Sequence, residues 1–240
     1  MAGAGAIAVV HSLAAPAAGL RISAVASRGG SSARHLAGNL DTRKVALDAL
    51  PAGAEFLIVA TPPDSHEKLV SQGLAAGATV LVEKPLTTTL ASADRLVELA
   101  ERTGLSRVRV AENLLHSPYW LIAKSKADAS GPPSHLSARI VQPPPQWGHF
   151  LEPLTSGGVL FDLGPHPIAL VLRLAASNAV AVSAELWSER PDGADDLAVV
   201  RVRFGSGLVA EIETSWRGDS SDGAPDGDGA QWAIQAAWTD

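Results

Sequence analysis

The sequence of 240 residues contains no cysteine, and only 5% of its residues are aromatic. Without cysteine the chain can form no disulfide, no thiolate metal site and no cysteine nucleophile, which fits a cytoplasmic protein. The scarcity of aromatic side chains predicts a core built mainly from aliphatic residues. Acidic residues outnumber basic ones by 25 to 19, for a net charge of -6, and this balance argues against a nucleic-acid partner.

Long hydrophobic runs are also absent. No apolar stretch approaches the roughly 18 residues that a membrane helix needs, so no membrane partner is predicted. Segment 1–20 is rich in alanine and glycine, but glycine and proline interrupt it and no basic residue precedes Arg21, which excludes a signal peptide. The one low-complexity segment, 217–229, is rich in Asp, Gly and Ser and predicts a solvated loop.

Residues 3–8 read GAGAIA, which fits the G-x-G-x-x-G/A pattern of a dinucleotide-binding turn. The first two small positions allow a tight turn and close approach to a pyrophosphate, and the last lets a helix pack on the sheet. The candidate cofactor-binding residues here are Gly3, Gly5, Ala6 and Ala8. The pattern normally follows a strand, yet only two residues precede it. Either the match is accidental, or the first strand of the sheet is missing because the chain start is misplaced or truncated.

A second strand is predicted at residues 21–26, and it ends at Ser27 and Arg28, where such folds read the adenosine ribose. An acidic residue there would bind a free 2′-hydroxyl and favour NAD. A hydroxyl and a guanidinium instead suit a 2′-phosphate. We therefore expect NADP as the favoured cofactor, with NAD as the second choice. In the alternative interpretation Arg28 is a solvated loop charge.

Strand-type and helix-type segments alternate through the first half of the chain. Further strands are predicted at 42–45, 55–60, 79–82 and 107–111, and helices at 31–40, 64–76 and 90–103. Asp64 or Ser65 is expected to cap the second of these helices, with Glu67 completing a capping box. This alternation predicts an α/β fold with a Rossmann-like, doubly wound parallel sheet over a domain of residues 1–115.

The strand at 79–82 runs into Glu83, Lys84 and Pro85. In open α/β sheets ligands bind beyond the carboxyl ends of the strands, so Lys84 is a candidate reactive group. Proline makes the preceding peptide a candidate cis bond. In the alternative interpretation the strand ends at an exposed charged turn that Glu83 only braces.

Residues 116–240 predict an α+β domain with a mostly antiparallel sheet. Helices are predicted at 117–129 and at 158–175, the latter broken near His166 by two prolines. Predicted strands follow one another without intervening helices, at 136–141, 179–189, 197–204, 208–216 and 231–238. The flat, partly apolar face of such a sheet favours a subunit interface, so we expect a homo-oligomer.

Four motifs in this order resemble the glucose–fructose oxidoreductase / inositol dehydrogenase (Gfo/Idh/MocA) family. They read GAGAIA at 3–8, ATPPDSH at 60–66, EKP at 83–85 and GGVLFDLGPH at 157–166. The last is the most specific, because it combines a glycine pair with the spacing D-x-G-x-H. The chain departs from the family in having Ala169 where a further acid often follows, and in being short at both ends.

The resemblance implies an NAD(P)-dependent oxidoreductase that transfers a hydride between a nicotinamide and a sugar, cyclitol or related polyol. The implied catalytic group consists of Lys84, Asp162 and His166. The implied cofactor-contacting residues are Gly3, Gly5, Ala8, Thr61, Pro62, Glu83 and Lys84. The alternative is a non-catalytic, regulatory member of the same fold that binds a dinucleotide or a sugar.

Hydride transfer from an alcohol requires a group that removes the hydroxyl proton, and His166 is the candidate acid/base. Lys84 would hold and polarise the oxygen, and Asp162 would orient the substrate or His166. Asp162 and His166 are four residues apart, which places them on one face if the turn is helical. Further predicted substrate contacts are Asn113, His116, Tyr119, Trp147 and His149. No cluster has metal-ligand spacing, so no metal is predicted.

Overall fold

The computed structural model describes residues 1–50, 53–145, 157–189, 193–218 and 231–238. The chain divides into two compact units, Met1–Ala111 and Glu112–Asp240. Of the sequence predictions, Trp147, His149 and most of the acidic segment 217–229 lie outside the described residues. None of the helices in the described ranges is both long and apolar enough to cross a membrane.

The first unit alternates strands and helices, as predicted. Its helices are α1 (Ala6–Ala14), α2 (Gly30–Asn39), α3 (His66–Ala75) and α4 (Leu90–Thr103). Its strands are β1 (Ala24–Val25), β2 (Arg43–Lys44), β3 (Phe56–Val59), β4 (Thr79–Glu83) and β5 (Val108–Ala111). Strands β3, β4 and β5 form a parallel sheet in that order, and β1 pairs with β2 in parallel.

Residues 1–3 join these two parallel sheets in the place expected for a central strand. Ala2 forms parallel bridges to Ala26 on one side and to Val59 on the other. Its amide donates to the Ile58 carbonyl at 2.8 Å, and its carbonyl accepts from the Ala60 amide at 2.7 Å. The sequence predicts no regular first strand, and in the structure Ala2 alone occupies that position in the sheet. That bridge still brings the glycine turn to the carboxyl edge of β3.

Strand β4 is the middle strand of its three-stranded sheet, and one of its two faces is fully buried. Val80 and Val82 are fully buried in a cluster with Leu57, Leu69 and Leu96 from the neighbouring strand and two helices. Leu81 points to the other face and is half-buried, so that face is partly covered, as is usual for parallel strands that pack against helices. Removal of this packing would release the strand end that carries Lys84.

Helix α3 corrects one local prediction. Ser65 is its N-cap residue, but the Ser65 side chain accepts no capping hydrogen bond and instead donates to Thr61 Oγ1 at 2.7 Å. Glu67 does not complete a capping box, because its carboxylate receives Nε and Nη2 of Arg95 from α4. The hydroxyl of Ser65 is used to brace the preceding turn.

In the described part of the second unit there are three α-helices and a five-stranded sheet. The helices are α5 (Pro118–Ser130), α6 (Gly158–Leu163) and α7 (Pro165–Ala175). The strands are β6 (His135–Val141), β7 (Ala179–Trp187), β8 (Leu197–Phe204), β9 (Val209–Ser215) and β10 (Gln231–Ala237). The order is β10-β6-β9-β8-β7, and every pair is antiparallel except β6 with β9. The structure thus confirms the predicted fold class.

Gly158, the second glycine of the motif and the first residue of α6, packs closely against the loop that precedes β8. Gly158 has φ +79°, and a Cβ there would collide with the side chain and backbone of Asp195. Asp195 in turn accepts the Val159 amide through its carbonyl at 2.8 Å and the Leu160 amide through Oδ2 at 2.9 Å. A larger residue at Gly158 would separate α6 from this loop. The motif therefore fixes where Asp162 lies in the fold.

Candidate active site

The glycine turn of the first unit has the shape that a dinucleotide requires. Gly3 adopts φ +110°, and a Cβ there would collide with the Ala60 carbonyl oxygen. A Cβ at Gly5, by contrast, would meet no protein atom within 4 Å. Helix α1 begins directly after Gly5 without a side-chain cap, while Ala8 is fully buried. The residues present therefore fit a pyrophosphate, because open space faces uncapped amides at a helix N-terminus.

Ser27 and Arg28, the predicted ribose-reading pair, follow β1 at the surface. The Ser27 hydroxyl donates to the Gly29 carbonyl at 2.5 Å. Arg28 Nη1 lies 3.5 Å from Asp64 Oδ2, and both side chains are more than half exposed. Asp64 thus competes for the guanidinium, and no local pattern in the sequence indicates this contact. The ion pair between Arg28 and Asp64 is weak, because both side chains are exposed and the distance between them is long. Arg28 can therefore turn toward a phosphate.

His66 is fully buried at the start of α3 and contacts two turns of the first unit. Its Nε2 lies 2.8 Å from the Thr61 carbonyl, and its Nδ1 lies 3.0 Å from the Pro85 carbonyl and 3.2 Å from the Leu86 carbonyl. The ring therefore links the turn after β3 with the turn after β4. Both turns carry residues predicted to contact the cofactor, Thr61 and Lys84.

Glu83 braces the turn at Lys84 and is itself paired. Its Oε2 accepts the Lys84 backbone amide at 3.1 Å, and its Oε1 lies 2.7 Å from His11 Nε2 on α1. The peptide between Lys84 and Pro85 is cis, as the sequence predicts. Lys84 is half-buried. His11 belongs to none of the sequence motifs, so the contact between His11 and Glu83 is visible only in the structure.

In the second unit the D-x-G-x-H motif buries two polar side chains. Asp162 in α6 and His166 in α7 are 6% and 7% exposed. Gly164 between the helices has helical dihedrals, and a Cβ there would collide with the Leu160 carbonyl. The predicted helical path from Asp162 to His166 is therefore present, with its break at Gly164.

His166 is held by a carboxylate that the sequence analysis did not assign to the site. Its Nδ1 lies 2.7 Å and 2.8 Å from the two carboxylate oxygens of Glu112, and both side chains are buried. The ring of Trp232, on β10, lies 5.8 Å from the His166 ring between centroids. The only sequence signal for Glu112 is its position directly after a strand.

The remaining predicted substrate contacts are at the surface or outside the described residues. Asn113 and His116 are exposed in a short 3₁₀ helix, and Tyr119 is 80% exposed on α5. Within the described ranges, no group of three or more histidine, aspartate and glutamate side chains is arranged to hold a metal ion.

Comparison with known proteins matches both units to one family. Residues 1–112 match the sequence model of the Gfo/Idh/MocA oxidoreductase family, described as an NAD-binding Rossmann fold. Residues 124–226 match the C-terminal domain of the same family. The two matches follow one another in the order of the motifs.

Individual relatives agree with this result. The dTDP-3,4-didehydro-2,6-dideoxy-α-D-glucose 3-reductase of Streptomyces antibioticus is 31% identical over 160 residues, covering 66% of this chain and 49% of the relative. Inositol 2-dehydrogenase 4 of Saccharopolyspora erythraea is 28% identical over 166 residues, covering 66% and 47%. The chain thus spans about half the length of the curated relatives it matches.

A solved structure extends the similarity to nearly all of this chain. The crystal structure of GenD2 from gentamicin A biosynthesis, in complex with NAD, has a TM-score of 0.87 at 26% identity. The match covers 99% of this chain and 68% of that one. From the family matches, the motifs and this structural likeness together, the chain belongs to the Gfo/Idh/MocA oxidoreductase family, with an NAD-binding Rossmann domain at its N-terminus.

Proposed function

We propose that this protein is an NAD(P)-dependent oxidoreductase that transfers a hydride between a nicotinamide and the carbinol carbon of a sugar, cyclitol or related polyol. The observation that carries the proposal is the burial of two polar residues of one family motif, Asp162 and His166. Burying an ionisable side chain costs free energy unless the group is paired or hydrogen-bonded, and such buried groups are concentrated at functional sites. The names of the two relatives, a sugar 3-reductase and an inositol dehydrogenase, support the substrate class.

The roles follow from the charge that develops during the reaction. A bound nicotinamide supplies the hydride acceptor in the oxidative direction. As the C–H bond breaks and the carbonyl forms, His166 takes the hydroxyl proton, and in the reverse direction it returns it. Lys84 provides a positive charge that stabilises the oxygen. Asp162 orients the substrate hydroxyl or the imidazole.

The proposed cofactor preference is NADP over NAD. Arg28 supports it, because a guanidinium after the second strand of a Rossmann fold suits a 2′-phosphate, and no acid directly follows β1. The ion pair with Asp64 is long and exposed, so its loss costs little. The family description and the GenD2 complex name NAD, which keeps NAD as the second choice.

We further propose a cytoplasmic homo-oligomer that associates through the sheet of the second unit. The edge strand β7 supports this, because all nine of its residues are exposed, including Val182 at 70% and Leu186 at 53%. The unpaired backbone groups of an exposed, apolar edge strand tend to pair with a strand of another chain. Light scattering on the purified protein tests it: a monomer at all concentrations would contradict the proposal.

The activity test follows nicotinamide absorbance with sugars, cyclitols and keto-sugars, for the wild type and for Lys84→Ala, Asp162→Asn and His166→Ala. Loss of a general acid–base or of oxyanion stabilisation lowers kcat by about 10² to 10⁴. We expect reductions of that order in Lys84→Ala and His166→Ala, with NADPH still bound. His135→Ala, which removes an exposed histidine on β6 in the same unit as His166, is the matched control and should leave the rate within about twofold. Binding of NADPH without turnover would favour the non-catalytic, regulatory alternative.

A further inference from the structure

The carboxylate of Glu112 faces the Nδ1 side of the His166 imidazole. Both carboxylate oxygens lie within 2.8 Å of Nδ1, and each side chain is 8% exposed. An ionised carboxylate can only accept hydrogen bonds, so the proton of a neutral imidazole must be on Nδ1. The lone pair of that neutral ring is then on Nε2. This is the form that a base needs if it receives a substrate proton at Nε2.

Two further contacts restrict the movement of this pair. Glu112 Oε1 also accepts the Leu114 backbone amide at 3.1 Å, which fixes the carboxylate at the start of the short helix 113–116. The Trp232 ring lies against His166 at an interplanar angle of 36°. The imidazole thus has a charged partner at Nδ1 and a tilted aromatic neighbour.

We propose that Glu112 is the positioning residue of the acid/base His166: it selects the Nδ1–H tautomer, orients the ring, and stabilises the imidazolium that forms when Nε2 takes the substrate proton. The inference rests on the proposed function for its chemical meaning. A histidine oriented by a buried carboxylate at its second nitrogen is a recurrent way to fix the tautomer of a catalytic base. The proton stays on Nδ1 throughout, and Glu112 is not protonated in the step.

The competing structural explanation is that Glu112 only caps the helix at Leu114. Loss of such a cap costs stability but leaves the tautomer of His166 unchanged. Ser117→Ala is the matched control, because the Ser117 hydroxyl caps α5 by accepting the Trp120 amide at 3.2 Å in the same unit. A purely structural Glu112 would behave as Ser117 does.

The decisive experiment measures the protonation of the imidazole nitrogens by long-range ¹H–¹⁵N correlation on the full chain, over a pH titration, with His166 assigned through His166→Gln. At the alkaline end of the titration we expect the Nδ1–H tautomer in the wild type and in Ser117→Ala. In Glu112→Ala we expect the Nε2–H tautomer that free imidazole favours. Glu112→Gln, whose carboxamide oxygen can still accept from Nδ1, should keep the wild-type tautomer. An Nε2–H tautomer in the wild type, or an unchanged tautomer in Glu112→Ala, overturns the proposal.

Turnover separates this inference from the proposed function. If His166→Ala turns over as the wild type does, the proposed function fails, while the tautomer measurement still decides whether Glu112 positions the ring. If turnover depends on His166, Glu112→Ala should lower kcat by about 10- to 100-fold with KM changed less than about twofold. Glu112→Gln should also lose rate, because it cannot stabilise an imidazolium. A rise in KM alone, with kcat unchanged in both variants, contradicts the positioning role.

Discussion

His11 Nε2 lies 2.7 Å from Glu83 Oε1, and this contact joins the helix that follows the glycine turn to the strand end that carries Lys84. Both side chains are less than 20% exposed. The second oxygen of Glu83 accepts the Lys84 amide. The carboxylate therefore connects the region predicted to hold the pyrophosphate with the proposed catalytic lysine.

We predict that His11→Ala destabilises the first unit by about 1–3 kcal/mol, because it leaves a mostly buried carboxylate without its imidazole partner. All six tryptophans lie after residue 112, so their fluorescence reports on the second unit only. Urea titrations monitored by amide hydrogen exchange at β4 are the appropriate measurement. His35→Ala, which removes an exposed contact with Asn39, should change the free energy of unfolding by less than about 0.5 kcal/mol. Equal effects of the two variants would contradict the structural role of the contact.

We predict a larger effect for His66→Ala. The ring is fully buried and faces the carbonyl oxygens of Thr61, Pro85 and Leu86, so its loss creates a cavity and removes their partner. The expected cost is about 2–4 kcal/mol in the free energy of unfolding, measured by urea denaturation of the first unit. Faster hydrogen exchange should appear at both turns together. Faster exchange at only one of them would show that the imidazole does not link the two.

The cofactor preference is open to a paired test at Arg28 and Asp64. Arg28→Ala should weaken NADPH binding about 10-fold or more with little effect on NADH, because only the phosphate loses a charged partner. Asp64→Asn should strengthen NADPH binding, since it removes the carboxylate 3.5 Å from the guanidinium. Arg21→Ala, an exposed arginine upstream of β1, is the control. Fluorescence titrations with both nucleotides measure this, and equal losses for the two nucleotides in Arg28→Ala would refute a phosphate role.

Much of the fold was predictable because periodic patterns and glycine or proline boundaries are local. Helix α4, at Leu90–Thr103, and strand β8, at Leu197–Phe204, have the bounds predicted from the sequence. The break before His166 was likewise predictable from two prolines. The capping box at α3 was predicted wrongly, because Glu67 has a stronger partner in Arg95, 28 residues further along the chain.

The pairings within the candidate site were not predictable. Glu112 and His166 are 54 residues apart, and His11 and Glu83 are 72 apart. A single sequence contains no local signal for such contacts, and only His166 and Glu83 belonged to recognised motifs. In each pair, folding brings a motif residue into contact with a polar residue that belongs to no motif. Burial makes the contact specific, because a buried polar group needs a hydrogen-bond partner.

The most direct test of the proposed function follows deuterium from the cofactor to the substrate. Purified protein is incubated with nicotinamide nucleotides deuterated at C4, in both stereochemical forms, and with a panel of keto-sugars and ketocyclitols, and the products are analysed by mass spectrometry. We expect deuterium at the new carbinol carbon from one of the two forms, at a rate reduced about 10²-fold or more in His166→Ala and Lys84→Ala. Bound cofactor with no transfer to any substrate, or transfer at the same rate in both variants, would contradict the proposed function.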